Sequence, residues 1–170
     1  MHAYKDWLYL PDQCFNYPAN IVWLLREWDN DNNYGGGMDL FSQADRAALR
    51  RGTDPWEVKG FYELLKKYPD FNKKFLADSA PLLAEIRTTN QTKLGRACKN
   101  RLTERRFRRL LQSRNRDDLV HQLRGVVRIL NREANPDELV EIVQYWGEIM
   151  RRKIAQDYFG SSDDAKGGDE

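Results

Sequence analysis

Five arginines crowd into nine positions of the run RLTERRFRR: Arg101, Arg105, Arg106, Arg108 and Arg109. Guanidinium groups are planar forks of N–H donors that match phosphate and carboxylate oxygens, and they keep their charge at any ordinary pH. At 100° per residue, Phe107, Leu110 and Leu111 fall on one arc of a helix. Arg101, Arg105, Arg108 and Arg109 fall on the opposite arc, with Arg106 at its edge. The basic side chains therefore project outward together. A merely solvated face would interleave acidic residues at i,i+4, because like charges at that spacing destabilise a helix. Only Glu104 intervenes here. The pattern predicts a phosphate-binding surface.

The positive charge extends in both directions. Lys93, Arg96 and Lys99 precede the cluster, and Arg124 and Arg128, four apart, follow it. From Arg87 to Arg132 the chain holds 14 Lys and Arg against 3 acidic residues, a net of +11, whereas all 170 residues together carry only +2. The remainder is mildly acidic throughout, so the chain is strongly dipolar and points to a polyanionic partner. Arg outnumbers Lys twelve to two in this block, and of the 20 aromatic residues only Phe107 lies in it. A surface that stacks unpaired bases needs exposed rings among its arginines. Contacts are therefore expected mainly to backbone phosphates, with strong salt dependence and weak sequence preference.

Catalytic chemistry finds no support in the sequence. A nuclease needs clustered carboxylates for metal ions, and the basic block holds only Glu104, Asp117 and Asp118. The two aspartates sit where a helix's first turn accounts for them. The two histidines, His2 and His121, leave little for a metal site. DNDNNYGGG, residues 29–37, lacks the glycine and glutamate that a calcium loop requires in its frame, and reads as a plain loop. Cys98 reads as a semi-buried structural thiol. No phosphate-binding glycine loop or serine-hydrolase elbow is present, and no cofactor or metal is expected. Two cysteines, Cys14 and Cys98, suggest a reducing, cytoplasmic setting. The start MHAYKDWLYLPDQ lacks a secretory layout, and no apolar run is long enough to span a bilayer.

The elements that must carry these arginines read as helices. Ile21, Leu24, Leu25 and Trp28 recur at helical spacing. A helix is expected from about Ser42 to Arg51, with Gly52 as its stop. Asp54-Pro55-Trp56-Glu57 combines a cap, a proline at the first helical position and an acid in the first turn. It predicts a helix carrying Val58, Phe61, Tyr62 and Leu65 inward and ending before Pro69. Shorter helices are expected after Asp70 and after Pro81. Thr103 is the expected cap of one helix of the basic block, and Asn115 precedes another. Asn135-Pro136-Asp137-Glu138 repeats the start signal and predicts one long helix through Leu139, Ile142, Val143, Trp146, Ile149, Met150 and Ile154 to about Gly160. No segment alternates with period two, so the chain is expected to be all-α, with two small helical bundles. The expected lobes are residues 1–88 and the basic lobe 89–160, divided at TTNQT, followed by a disordered acidic tail, 161–170.

The run LGRACKNRLTERRFRRLLQSRNRDDLVHQLRGVVRIL followed by VQYWGEIMRRKIAQDYF, with ADRAALRRGTDPWEVKGFYELL upstream, resembles the small subunit of the type I-E CRISPR Cascade complex, the CasB family. The resemblance spans residues 40–160 and rests on the order of several short motifs. It implies an all-helical, noncatalytic subunit of two bundles that assembles as a pair inside an RNA-guided complex. The implied partners are the crRNA-containing Cascade complex with its backbone and large subunits, target DNA through its displaced strand, and a second copy of the chain; no membrane is involved. Carried over by motif are Arg50 and Arg51 in ALRRG, Arg96 in LGRA, Arg105 and Arg106 in ERR, and Arg124 in QLR. One departure lies after Trp146-Gly147, where Glu148 and Ile149 stand in place of basic residues, which return only at Arg151, Arg152 and Lys153. With Arg101, Arg108, Arg109, Arg128, Arg151 and Arg152 these make the expected nucleic-acid contacts. Two other readings remain at this level. One is a free-standing DNA-binding regulator with a recognition helix over 103–113; the other is an adaptor that docks an acidic protein.

Overall fold

The computed structural model describes residues 41–160. The expected helix after Asn20, the loop 29–37 and the acidic tail 161–170 lie outside them. Eight α-helices and one 3-10 turn make up the described residues, with a single two-residue parallel pairing between Thr88–Thr89 (β1) and Glu133–Ala134 (β2). The all-α expectation holds.

Most expected starts are where the capping chemistry places them. Helix α1, Gln43–Arg50, opens with a reciprocal cap: Ser42 Oγ accepts from the Asp45 amide, and Asp45 accepts from the Ser42 amide. Asp54 caps differently from expectation. Its carboxylate accepts from the Trp56 amide, but the result is one 3-10 turn, Pro55–Glu57, after which Val58 is extended. Val58 is buried, and turning it inward breaks the helix that the local signal would begin. Helix α2, Lys59–Lys67, starts only after it.

The two short helices expected around Asp70 and Pro81 are one, α3, Lys73–Leu83, capped by Asn72 and with Pro81 inside it. Proline's missing N–H deprives the Ala77 carbonyl of its helical donor. Burial of Ala80, Leu82 and Leu83 on either side offsets that loss.

Leu94–Arg101 forms α4, Glu104–Leu111 forms α5, and Arg116–Ile129 forms α6. Thr103 caps α5 as expected, and Asn115, which precedes α6, caps it too. Arg101 closes α4 rather than sharing α5, because Leu102 is extended between them.

The long C-terminal helix is in fact two, α7 (Pro136–Gln144) and α8 (Glu148–Phe159). Arg116 ends the first: its Nε donates to the Val143 carbonyl at 3.0 Å and its Nη2 to that of Gln144 at 3.1 Å. Trp146 is drawn aside by an Nε1 bond to the Ser113 carbonyl, 3.2 Å. The apolar period continues across the break because both segments face the same interior. That interior takes side chains from α1 through α8, including Leu49, Phe61, Leu76, Leu123, Ile142 and Ile154. At its far end Phe107 stacks on Tyr158, ring centres 3.8 Å apart.

Helix α4 packs closely against α8, with Gly95 at the approach. Glu138, buried on α7, accepts from the Leu94 amide at 2.8 Å and so supplies the cap that Lys93 cannot. Desolvation pushes the Glu138 carboxyl up to about 8, although the Leu94 N–H pulls the other way. The fold therefore favours the protonated form over the unfolded chain, where the value is near 4.5. This group's contribution is complete below about pH 4.5 and is lost as pH rises toward 8. Stability at pH 7 should fall short of that at pH 5 by about 2 kcal/mol on its account. In Glu138→Gln that slope should flatten; urea midpoints across pH 4.5 to 8 check it.

Candidate nucleic-acid interface

The amphipathic reading of α5 is realised. Phe107 and Leu110 are fully buried, whereas Arg105, Arg106, Arg108 and Arg109 are exposed. Arg108 is held by Glu104, Nε to Oε1 at 2.7 Å, and its guanidinium lies 5.6 Å from the Phe159 ring centre. Among the described residues, Arg101, Arg105, Arg106 and Arg109 have no carboxylate within ion-pairing distance. An outward row of unneutralised guanidiniums on a helix anchored by Phe107 is what a phosphate backbone requires. Arg96 is likewise exposed, one residue beyond the close α4–α8 contact at Gly95.

Arg109 also lines an open polar cleft of about 670 Å³ with Arg114, Arg151, Gln112, Asp118 and Gln122. Arg151 is set in place there by donating Nη2 to the Ser113 carbonyl at 2.7 Å and by lying 5.1 Å from the Trp146 ring centre. The bend after α7 thus brings Arg151 to the α5 arginines, 42 positions away in sequence. Arg152 is exposed and hydrogen-bonds to Glu148.

A second basic cluster gathers at the end of α3. Glu85 is only 1% exposed, and its Oε1 accepts from Arg124 Nη2 at 2.8 Å and from Arg128 Nη2 at 2.7 Å. Arg132 Nη1 stands 3.9 Å from Oε2. Burial pushes the Glu85 carboxyl up, but the bonds from Arg128 and Arg124 outweigh it and hold it below its ordinary value. Arg50 joins from α1, its Nε donating to the Ala84 carbonyl at 2.8 Å. Arg51 is exposed at the end of that helix.

Eight of the twelve expected contact residues thus fall into three settings, the α5 row, the Arg109–Arg151 cleft and the Glu85 cluster; Arg51, Arg96, Arg101 and Arg152 lie outside all three. Sequence reasoning missed Arg114, Arg132 and Glu85, none of which belongs to an amphipathic arc. Arg116, one of the fourteen basic residues of the block, is half-buried, lies 3.7 Å from the Phe75 ring centre and caps α7. Cys98 is fully buried, and burial pushes its thiol up to about 12, far from a reactive value. His121 is exposed. Among the described residues no group of three or more metal-ligating side chains converges, and no helix is long and apolar enough to cross a membrane.

Comparison with known proteins bears on the family and the fold. The family model for CRISPR-associated protein Cse2 matches residues 45–159. No match to an individual curated protein accompanies it. Among solved structures, the chain is similar to one in the crystal structure of E. coli Cascade bound to a PAM-containing dsDNA target. The two share 21% identity over 72% of this chain and 89% of that one, with a TM-score of 0.56.

Proposed function

The chain belongs to the CRISPR-associated protein Cse2 family, and from that premise we propose that it is the noncatalytic small subunit of a Cascade-type interference complex. In this reading it binds nucleic-acid backbone through its arginine surface and stabilises the target R-loop and the displaced strand. The observation that carries it is the α5 row, in which Arg105, Arg106 and Arg109 stand exposed over a buried Phe107 and are neutralised by no described carboxylate. The Cascade setting of the similar solved chain supports the same partner class: a crRNA-containing complex and target DNA.

The energetics suit such a surface. Replacing a DNA duplex by an RNA–DNA heteroduplex is nearly balanced, so modest backbone contacts tip it. Phosphate contacts made without base readout would hold any displaced sequence equally. Four arginines on one short helix can supply several such contacts, and no catalytic group is needed. R-loop lifetimes measured for complexes assembled with and without this chain test the reading. The complex lacking it should release the target strand faster; equal lifetimes would refute the role. Strong preference of the isolated chain for one duplex sequence would favour a free-standing regulator instead.

A further inference from the structure

The Glu85 cluster holds more positive charge than its buried carboxylate needs. One well-placed guanidinium compensates one carboxylate, and each additional cation repels the first. Here Arg124, Arg128 and Arg132 surround Glu85, and Arg50 is tied to the carbonyl of the preceding residue. The strain shows on Arg50, whose guanidinium is held below its ordinary value by burial and then by the Arg132 charge. Arg132 bears a cost in its backbone as well. Its φ is +62°, next to Asn131 at +58°. A non-glycine residue pays about 1–2 kcal/mol there. Glycine would occupy that turn with less strain, so an arginine standing there points to a use for its side chain.

We propose that Glu85 is a positioning residue that holds Arg124, Arg128 and Arg132 as a seat for one backbone phosphate of single-stranded nucleic acid. This rests on the strand-binding reading above and adds Arg132 to the contact residues. Glu85 engages the Nε and Nη2 of Arg124 and the Nη2 of Arg128. A guanidinium has five N–H donors, so both arginines retain others. Arg128 in particular keeps 54% of its side chain exposed. The buried carboxylate orders the forks in advance, which lowers the entropy lost when a phosphate arrives. Three cations against one anion leave the seat positive, and a phosphodiester supplies the missing negative charge.

The test turns on a sign. Glu85→Gln makes the chain more positive, so charge alone predicts tighter binding to a polyanion. Loss of a positioned phosphate contact predicts the reverse: about fivefold weaker binding at 0.1 M salt and a shallower salt dependence. Anisotropy of a fluorescent single-stranded oligothymidylate, titrated with the full chain at several salt concentrations, reads both. Arg132→Gly separates binding from folding, since glycine accepts the left-handed backbone while the guanidinium is removed. It should bind about fivefold more weakly with an unchanged or higher Tm, and the double variant should lose no more than either single one. If Glu85→Gln fails to fold, Arg132→Gly decides alone. Binding as tight as wild type in Arg132→Gly, or in a folded Glu85→Gln, overturns the seat while leaving strand binding intact. Absence of wild-type binding overturns the strand-binding reading and the seat with it.

Discussion

Changing Arg105, Arg108 and Arg109 together to Glu should weaken binding to single-stranded nucleic acid about 100-fold at 0.1 M salt. Each phosphate contact to a single strand contributes about 0.7 to the slope of log affinity against log salt, so three lost contacts lower that slope by about 2. Reversal adds repulsion to that loss. The fold should survive it, because all three side chains are exposed and Phe107 and Leu110 keep the helix on the core. Of the three, only Arg108 gives up an ion pair among the described residues, that with Glu104, and both partners there are more than half exposed. Such pairs contribute little. Two of the new carboxylates fall in the last turn of α5, where the helix dipole opposes them by about 0.3–1 kcal/mol. The matching triple change to Gln avoids that penalty and should still lower the salt slope by about 2. Unchanged slopes in both variants would remove α5 from the interface.

Gly95→Ala should be the most damaging conservative change in the described chain. A Cβ there would lie 2.5 Å from the Ile154 carbonyl oxygen, 2.6 Å from Asp157 Cβ and 2.9 Å from the Tyr158 amide. Two of those atoms are backbone and cannot swing away, so α4 and α8 must separate. Overpacking of this kind costs about 1–3 kcal/mol and sometimes more, a large part of a domain's margin. The seam also carries the Glu138 cap of α4, so the displacement would loosen Leu94 as well. Gly125, within α6, is the control. Nothing stands within 4 Å of its would-be Cβ. Gly125→Ala should therefore stabilise by about 0.5–1 kcal/mol, through the better helix propensity of alanine. Chemical denaturation of the two variants should give opposite signs. Equal destabilisation would show that the α4–α8 approach does not depend on glycine at position 95.

The contrast between these glycines shows where sequence reading stops. Both sit in helical patterns flanked by basic residues, in LGRA and LRGVV. Only the contact with α8 makes one indispensable. The caps at Thr103 and Asn135, and the helix starts near Ser42 and Asn115, were legible because a cap is settled within four residues. The Asp54-Pro55 signal was read correctly as a cap but not as a 3-10 turn, since burial of Val58 against distant residues decided its continuation. The α7–α8 break was hidden for a similar reason. Apolar spacing persists through Trp146, while the groups that end and bend the helix, Arg116 and the Ser113 carbonyl, lie about 30 residues away.

Of the candidate site, Arg105, Arg106, Arg108 and Arg109 were legible, because one helix carries both arcs and 100° per residue assigns each side chain to a face. Arg101 was not, since the extended Leu102 leaves it on α4. Charge and its localisation were likewise matters of sequence alone, but the expected absence of exposed rings among the arginines was not: Phe159, half exposed, comes from the C-terminal helix to lie 5.6 Å from Arg108. The cluster around Glu85 was not. Its partners are 39 and 43 residues from the carboxylate, on separate elements, and an isolated glutamate ahead of a basic block shows no period. Local sequence determined which surface is positive and which side of each helix is buried, since both depend on neighbours three or four residues apart. Tertiary packing decided which arginines stand free, which cap a helix and which are held on a buried anion. Those outcomes depend on where distant backbone carbonyls and carboxylates come to rest.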